Sequence, residues 1–135
     1  MKMKLKWWWY IAPGYLTLWT IAFSLWNLAD AEGMMTAFGV DTGGASEFIM
    51  LNSAARYVAI GIGMIFGIWI FRTFHSTLTA LIIRLVMDLL DLYSGLKAGL
   101  IVDGGGVIQS LLMFIVPGLL AIYTLVRLKS PISSH

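Results

Sequence analysis

The chain has 135 residues, of which 59% are hydrophobic and only 12% charged, and its mean hydropathy is +0.85. A soluble domain this small exposes much surface and carries about 25% charged residues, so lipid is the solvent for a large part of the molecule. That excludes a cytosolic enzyme domain, a disordered chain and a nucleic-acid binder. The net charge is +2, but the basic residues stand at segment ends and inside apolar runs, not in a patch. Cysteine is absent and only His75 and His135 are present. No disulfide framework, thiolate chemistry, multi-histidine metal site or cofactor is therefore expected.

A transmembrane helix needs about 20 mostly apolar residues, and four stretches qualify. Residues 7–29 hold no charge between Lys6 and Asp30. Residues 47–71 are interrupted once, by Arg56, and Ser46 followed by Glu47 reads as a helix start. Residues 77–100 contain Arg84, Asp88, Asp91 and Lys97, and residues 107–126 are charge-free between Asp103 and Arg127. The fold class is all-α: a polytopic membrane protein, a single domain of four transmembrane helices. Pro117 is placed to kink the fourth. Between the first two spans, Met34, Met35 and Phe38 are apolar, while Gly39, Gly43 and Gly44 break the connector up. A short interfacial helix and a plain loop both fit this connector.

Loop charges set orientation. Lys2, Lys4 and Lys6 precede the first span, Arg72 closes the second, and Arg127 with Lys129 follows the fourth. The first connector carries Asp30, Glu32, Asp41 and Glu47 without a Lys or Arg. The positive-inside rule then places both termini in the cytoplasm, in a cell (inner) membrane. Trp7, Trp8, Trp9 and Tyr10 beside the lysines read as an interfacial aromatic anchor. The same segment followed by Ala29-Asp30-Ala31 resembles a signal peptide, whose cleavage would leave three spans. Its apolar run is longer than the roughly 7–15 residues of a signal core, so the segment is expected to stay.

Charges inside the spans point to a site. A charged side chain at a helix centre costs about 2.5–3.5 kcal/mol on insertion scales, so such groups turn inward and pair. Arg84, Asp88 and Asp91 share one helix face: at 100° per residue Asp88 lies about 40° to one side of Arg84 and Asp91 about 20° to the other. Arg56 lies roughly 13 Å down its helix from Glu47, and Asp88 about 12 Å below the same surface. A buried network of Arg56, Arg84, Asp88 and Asp91 in the outer half follows. Asn27, Asn52 and Gln109 fall in the same layer and read either as site groups or as ordinary interhelical hydrogen-bonders. Tyr93 lies about 200° round from Asp91 and faces away. Ala55, Ala59, Gly63 and Gly67, four apart and ending in a GxxxG, form the expected helix-packing stripe, against the third helix or another subunit.

The stretch Asn52-Ser-Ala-Ala-Arg56-Tyr-Val-Ala-Ile-Gly61-Ile-Gly63, with Arg84-Leu-Val-Met-Asp88-Leu-Leu-Asp91, resembles small four-helix bacterial membrane proteins of DoxX-like type. The resemblance implies a bacterial four-helix bundle and carries over no catalytic residue. Three functions are open on the residues. The first is a non-enzymatic bundle that binds a small amphipathic ligand or lipid, or scaffolds a homodimer or partner membrane protein. The second is a small proton-coupled transporter, against which stand Asp88's arginine neighbours. The third is a membrane enzyme using Asp88 or Asp91 as acid/base, for which no signature motif of any reaction class is present. The first is preferred.

Overall fold

The computed structural model describes residues 2–37, 47–97 and 104–133. All the regular structure among them is helical. A 3-10 turn, Trp7–Tyr10, leads into α1, Ile11–Ala37. Helix α2, Glu47–Met64, continues without a break into a π-helical segment, Ile65–Phe71. Helix α3 spans Phe74–Lys97. The fourth rod is α4, Gly104–Ser110, a second π segment, Leu111–Ile115, and α5, Val116–Ser133.

The rods run antiparallel in sequence order. Thr17 meets Trp69 while Gly61 meets Thr20, Gly67 meets Ser76 while Arg56 meets Asp91, and Leu85 lies beside Gly118. The first rod closes on the fourth, where Trp9 reaches Thr124 and Phe23 meets Phe114. The result is an up-down-up-down four-helix bundle. One end carries Arg72 and the N-terminal residues, and the other carries Asn27, Arg56 and Asp91.

Polarity is distributed inside out. Large apolar side chains such as Leu18, Leu25, Leu90 and Leu112 are exposed, while Thr17, Thr20, Ser24, Asn27, Thr77 and Arg84 are buried. The buried hydroxyls of α1 are satisfied on their own helix: Thr17, Thr20 and Ser24 donate to the carbonyls of Pro13, Leu16 and Thr20 at 2.7 Å. Among the described residues, two stretches, Leu51–Phe71 and Val107–Leu128, are long and apolar enough to cross a membrane.

Local devices shape the rods. At Asp30 the backbone of α1 leaves helical values (φ −154°, ψ 78°), and the Asp30 carboxylate accepts the Gly33 backbone N–H at 3.0 Å. Asp30 thus caps a new helical turn, and the connector opens with a short helix on which Met34 is buried and Met35 packs on the core. Phe38 and the glycines after it lie outside the described residues, as do Ser46 and Asp103. Just before Pro117, where a kink is expected, the fourth rod carries its π segment: the Val116 N–H bonds the Leu111 carbonyl, one residue further back than in an α-helix. The other π segment ends at Arg72, in the left-handed region (φ 55°, ψ 29°). Helix α3 then starts on a reciprocal cap, with the Ser76 N–H on Thr73 Oγ1 at 3.1 Å and the Thr73 N–H on Ser76 Oγ at 3.2 Å.

Candidate functional site

The interior charges assemble from α2 and α3. On α3 the spacing of four brings Arg84 and Asp88 together, Nη1 to Oδ1 at 2.5 Å. Arg84 is 1% exposed, and its guanidinium lies over the Phe114 ring at 5.5 Å. One turn nearer the end of the bundle, Arg56 Nη2 reaches Asp91 Oδ1 at 2.8 Å. This second pair is far more open, with side-chain exposures of 48% and 30%. The depth ordering follows from the antiparallel register of α2 and α3: Gly67 is level with Ser76, and Arg56 with Asp91.

Tyr57 joins the two halves of the layer. Its hydroxyl donates to Asp91 Oδ2 at 3.2 Å, so Asp91 holds Arg56 on one oxygen and Tyr57 on the other. The Tyr57 ring sits 6.0 Å from Phe23, which is 5.4 Å from Phe114 and 5.0 Å from Trp19. Aromatic rings from three rods thus floor the charged layer on the side of the Arg72 end. Tyr57 was not among the residues that the spacing singled out. Its signal was present in the row of Ala54, Tyr57, Gly61, Met64 and Ile68, spaced three and four apart, which is the face of α2 turned inward.

Asn27 lies one turn beyond Phe23 on the same face of α1. It is 1% exposed, and neither its amide nitrogen nor its amide oxygen has a hydrogen-bond partner. Arg84 Nε and Asp88 Oδ2 are likewise buried and unpartnered. A buried polar atom without a partner costs about 1–3 kcal/mol, so this interior presents two unmet donors and two unmet acceptors. Asn52 is exposed, and Gln109 is half-buried on α4. Tyr93 is exposed on the far face of α3. Among the described residues no three His, Asp or Glu side chains gather where they could hold one metal ion.

The small-residue stripe does not act as a unit. Gly67 packs against α3, where an added Cβ would come within 2.8 Å of the Ser76 carbonyl oxygen and 3.0 Å of the Ala80 methyl. Ala55, Ala59 and Gly63 are exposed, and a Cβ at Gly63 would meet nothing within 4 Å. The contact with α1 uses Gly61 and Met64 instead: an added Cβ at Gly61 would lie 3.4 Å from the Thr20 methyl, and the Thr20 hydroxyl is 3.4 Å from Met64 Sδ. The physical reason is angular drift. A spacing of four advances about 40° per step on a 3.6-residue helix, so the stripe winds off one neighbour before it reaches the next. The aromatic cluster divides in the same way: Trp7 and Trp8 are exposed, whereas Trp9 is buried and donates from Nε1 to Thr124 at 3.0 Å.

Comparison of the chain with protein-family models, with curated proteins and with solved structures finds no match.

Proposed function

We propose that the chain is a four-span integral membrane protein of a bacterial inner membrane, with both termini cytoplasmic. Its interior polar layer binds a small neutral amphipathic molecule without catalysing its conversion. Support for the bilayer comes from the apolar exterior on all four rods and from the DoxX-like resemblance of α2 and α3, which we retain as a proposed kinship. The observation that carries the ligand reading is Asn27, a fully buried amide with no partner at either atom. Arg84 and Asp88 neutralise each other, so the group received here is uncharged and both donates and accepts hydrogen bonds, as a hydroxyl or carbonyl head does. Its apolar part would lie against the aromatic floor of Phe23, Tyr57 and Phe114.

The test is the small-molecule content of protein purified from its own membrane, measured by mass spectrometry on the parent and on Asn27→Leu. The expected result is a molecule retained at near-stoichiometric level by the parent and lost from the variant. Equal retention by both, or none by either, refutes the reading. Topology is checked separately: the chain has no cysteine, so single cysteines introduced at Lys2 and at Asp41 report sidedness directly. Labelling at Asp41 from outside the cell, and at Lys2 only after permeabilisation, is expected.

A further inference from the structure

Five of the positive charges that are scattered along the sequence, Lys2, Lys4, Lys6, Arg72 and Arg127, stand at one end of the bundle, and the partners of the two arginines there are unlike those of Arg56 and Arg84. From Lys2 to Lys6 the chain alternates. Lys2, Lys4 and Lys6 are exposed, while Met3 and Leu5 pack on the core. This segment is tied down by the Met3 N–H, which donates to the Arg72 carbonyl at 2.7 Å. At strand-like rise, alternate side chains stand about 7 Å apart, so the three ammonium groups form a comb on one side of a fixed strap.

Arg72 lies beside the strap. Its Nη2 donates to the Tyr10 hydroxyl at 3.2 Å, its guanidinium sits 5.2 Å from the Tyr10 ring centre, and its Nε has no partner. Arg127, three residues past the Thr124 that holds Trp9, is arranged alike: Nε donates to the Tyr123 hydroxyl at 3.0 Å, with the ring at 5.4 Å. Each of these arginines is positioned by a phenol, which fixes its geometry and leaves its charge uncompensated. The other two arginines, Arg56 and Arg84, are each held by an aspartate. The chain has no Asp or Glu before Asp30, between Glu47 and Asp88, or after Asp103. No described carboxylate therefore lies at the Arg72 end.

We propose that this end is a docking site for the phosphate headgroup of an anionic phospholipid, bound by Lys2, Lys4 and Lys6 together with Arg72 and Arg127. Exposed Trp7 and Trp8 fit the same placement, because indole rings settle at the headgroup level. Arginine forks and lysine point charges both recognise phosphate oxygens, and the strap fixes the comb before lipid arrives. The inference rests on the bilayer placement proposed above but is independent of the interior ligand.

The full chain is reconstituted in vesicles of phosphatidylcholine alone and of phosphatidylcholine mixed with phosphatidylglycerol. The phospholipid that stays bound through detergent extraction is then identified by native mass spectrometry. Phosphatidylglycerol is expected to be enriched over its share of the bilayer. That enrichment should fall by about fivefold for each lysine replaced in Lys2→Gln, Lys4→Gln and Lys6→Gln, and return when arginine is placed at the same positions. High salt should weaken it. Bound lipid that mirrors the bilayer composition, or an enrichment indifferent to the three substitutions, overturns the site while leaving the membrane placement intact. Competition by millimolar inorganic phosphate in detergent would overturn the lipid assignment in favour of a free-phosphate site. A chain that washes off phosphatidylcholine vesicles at alkaline pH overturns the membrane placement itself.

Discussion

The two glycines of Gly63-Met-Ile-Phe-Gly67 should respond in opposite senses to the same substitution. At Gly67 a methyl group would sit 2.8 Å from the Ser76 carbonyl oxygen and 3.0 Å from the Ala80 methyl. The oxygen belongs to backbone and cannot swing aside, so α2 and α3 must separate. Separation also strains the bonds that Ser76 Oγ (2.8 Å) and Thr77 Oγ1 (3.3 Å) donate to the Gly67 carbonyl. Overpacking of this kind costs about 1–3 kcal/mol, and a weakened hydrogen bond adds about 0.5–1.5 kcal/mol. Gly67→Ala should therefore lose roughly 2–4 kcal/mol. At Gly63 nothing lies within 4 Å, and alanine gains about 0.5–1 kcal/mol in a helix interior, so Gly63→Ala should be neutral to stabilising. Equilibrium unfolding of the purified chain in mixed micelles, followed by tryptophan fluorescence, separates the two. A Gly67→Ala protein as stable as the parent would refute the close approach of α2 and α3. Equal loss from both variants would show that the stripe packs as a unit against something beyond this chain.

Other outcomes follow from burial and capping. Arg84→Met should destabilise by about 3–5 kcal/mol because it strands the Asp88 charge, and adding Asp88→Leu should recover much of that loss; an additive double variant in the same unfolding assay would argue against direct coupling. Arg56→Gln should change stability by less than about 1 kcal/mol, since its pair with Asp91 is largely open. Asp30→Ala should cost about 1 kcal/mol through loss of the cap on Gly33, and amide exchange should quicken over residues 31–37 while the rest of α1 stays protected.

How much of this was legible in the sequence depends on whether neighbours along the chain or neighbours in space decide the outcome. The Arg84 and Asp88 pair needs only a spacing of four on a helix, and the pair of Arg56 with Asp91 needs only the depth at which each lies. Both are one-dimensional quantities, and both are readable. The inward face of α2 is not, because large apolar side chains such as Leu51, Ile62, Phe66 and Ile70 stand exposed on the rod that α2 opens and hydrophobic periodicity, the usual guide to the buried side, has no contrast. Small residues then mark two faces at once: Ala54 and Gly61 are buried, Gly61 against α1, while Ala55 and Gly63 turn outward. Tyr57 escaped notice for the same reason. Trp9 shows the complementary limit. Three consecutive tryptophans look equivalent in sequence, yet a contact 115 residues further along the chain, at Thr124 on the fourth rod, singles out the third, which is buried.

That last contact also orders the assembly of the molecule. Trp9 cannot complete its hydrogen bond until Thr124 has been synthesised, and the strap before it cannot close on the Arg72 carbonyl until α2 is in place. The residues that leave the ribosome early are thus among the last to settle, and the loop that must close over them is nearly the length of the chain. Until then the lysine comb and its two apolar anchors, Met3 and Leu5, stay unattached, so the strap acts as the clasp that fastens a bundle already built.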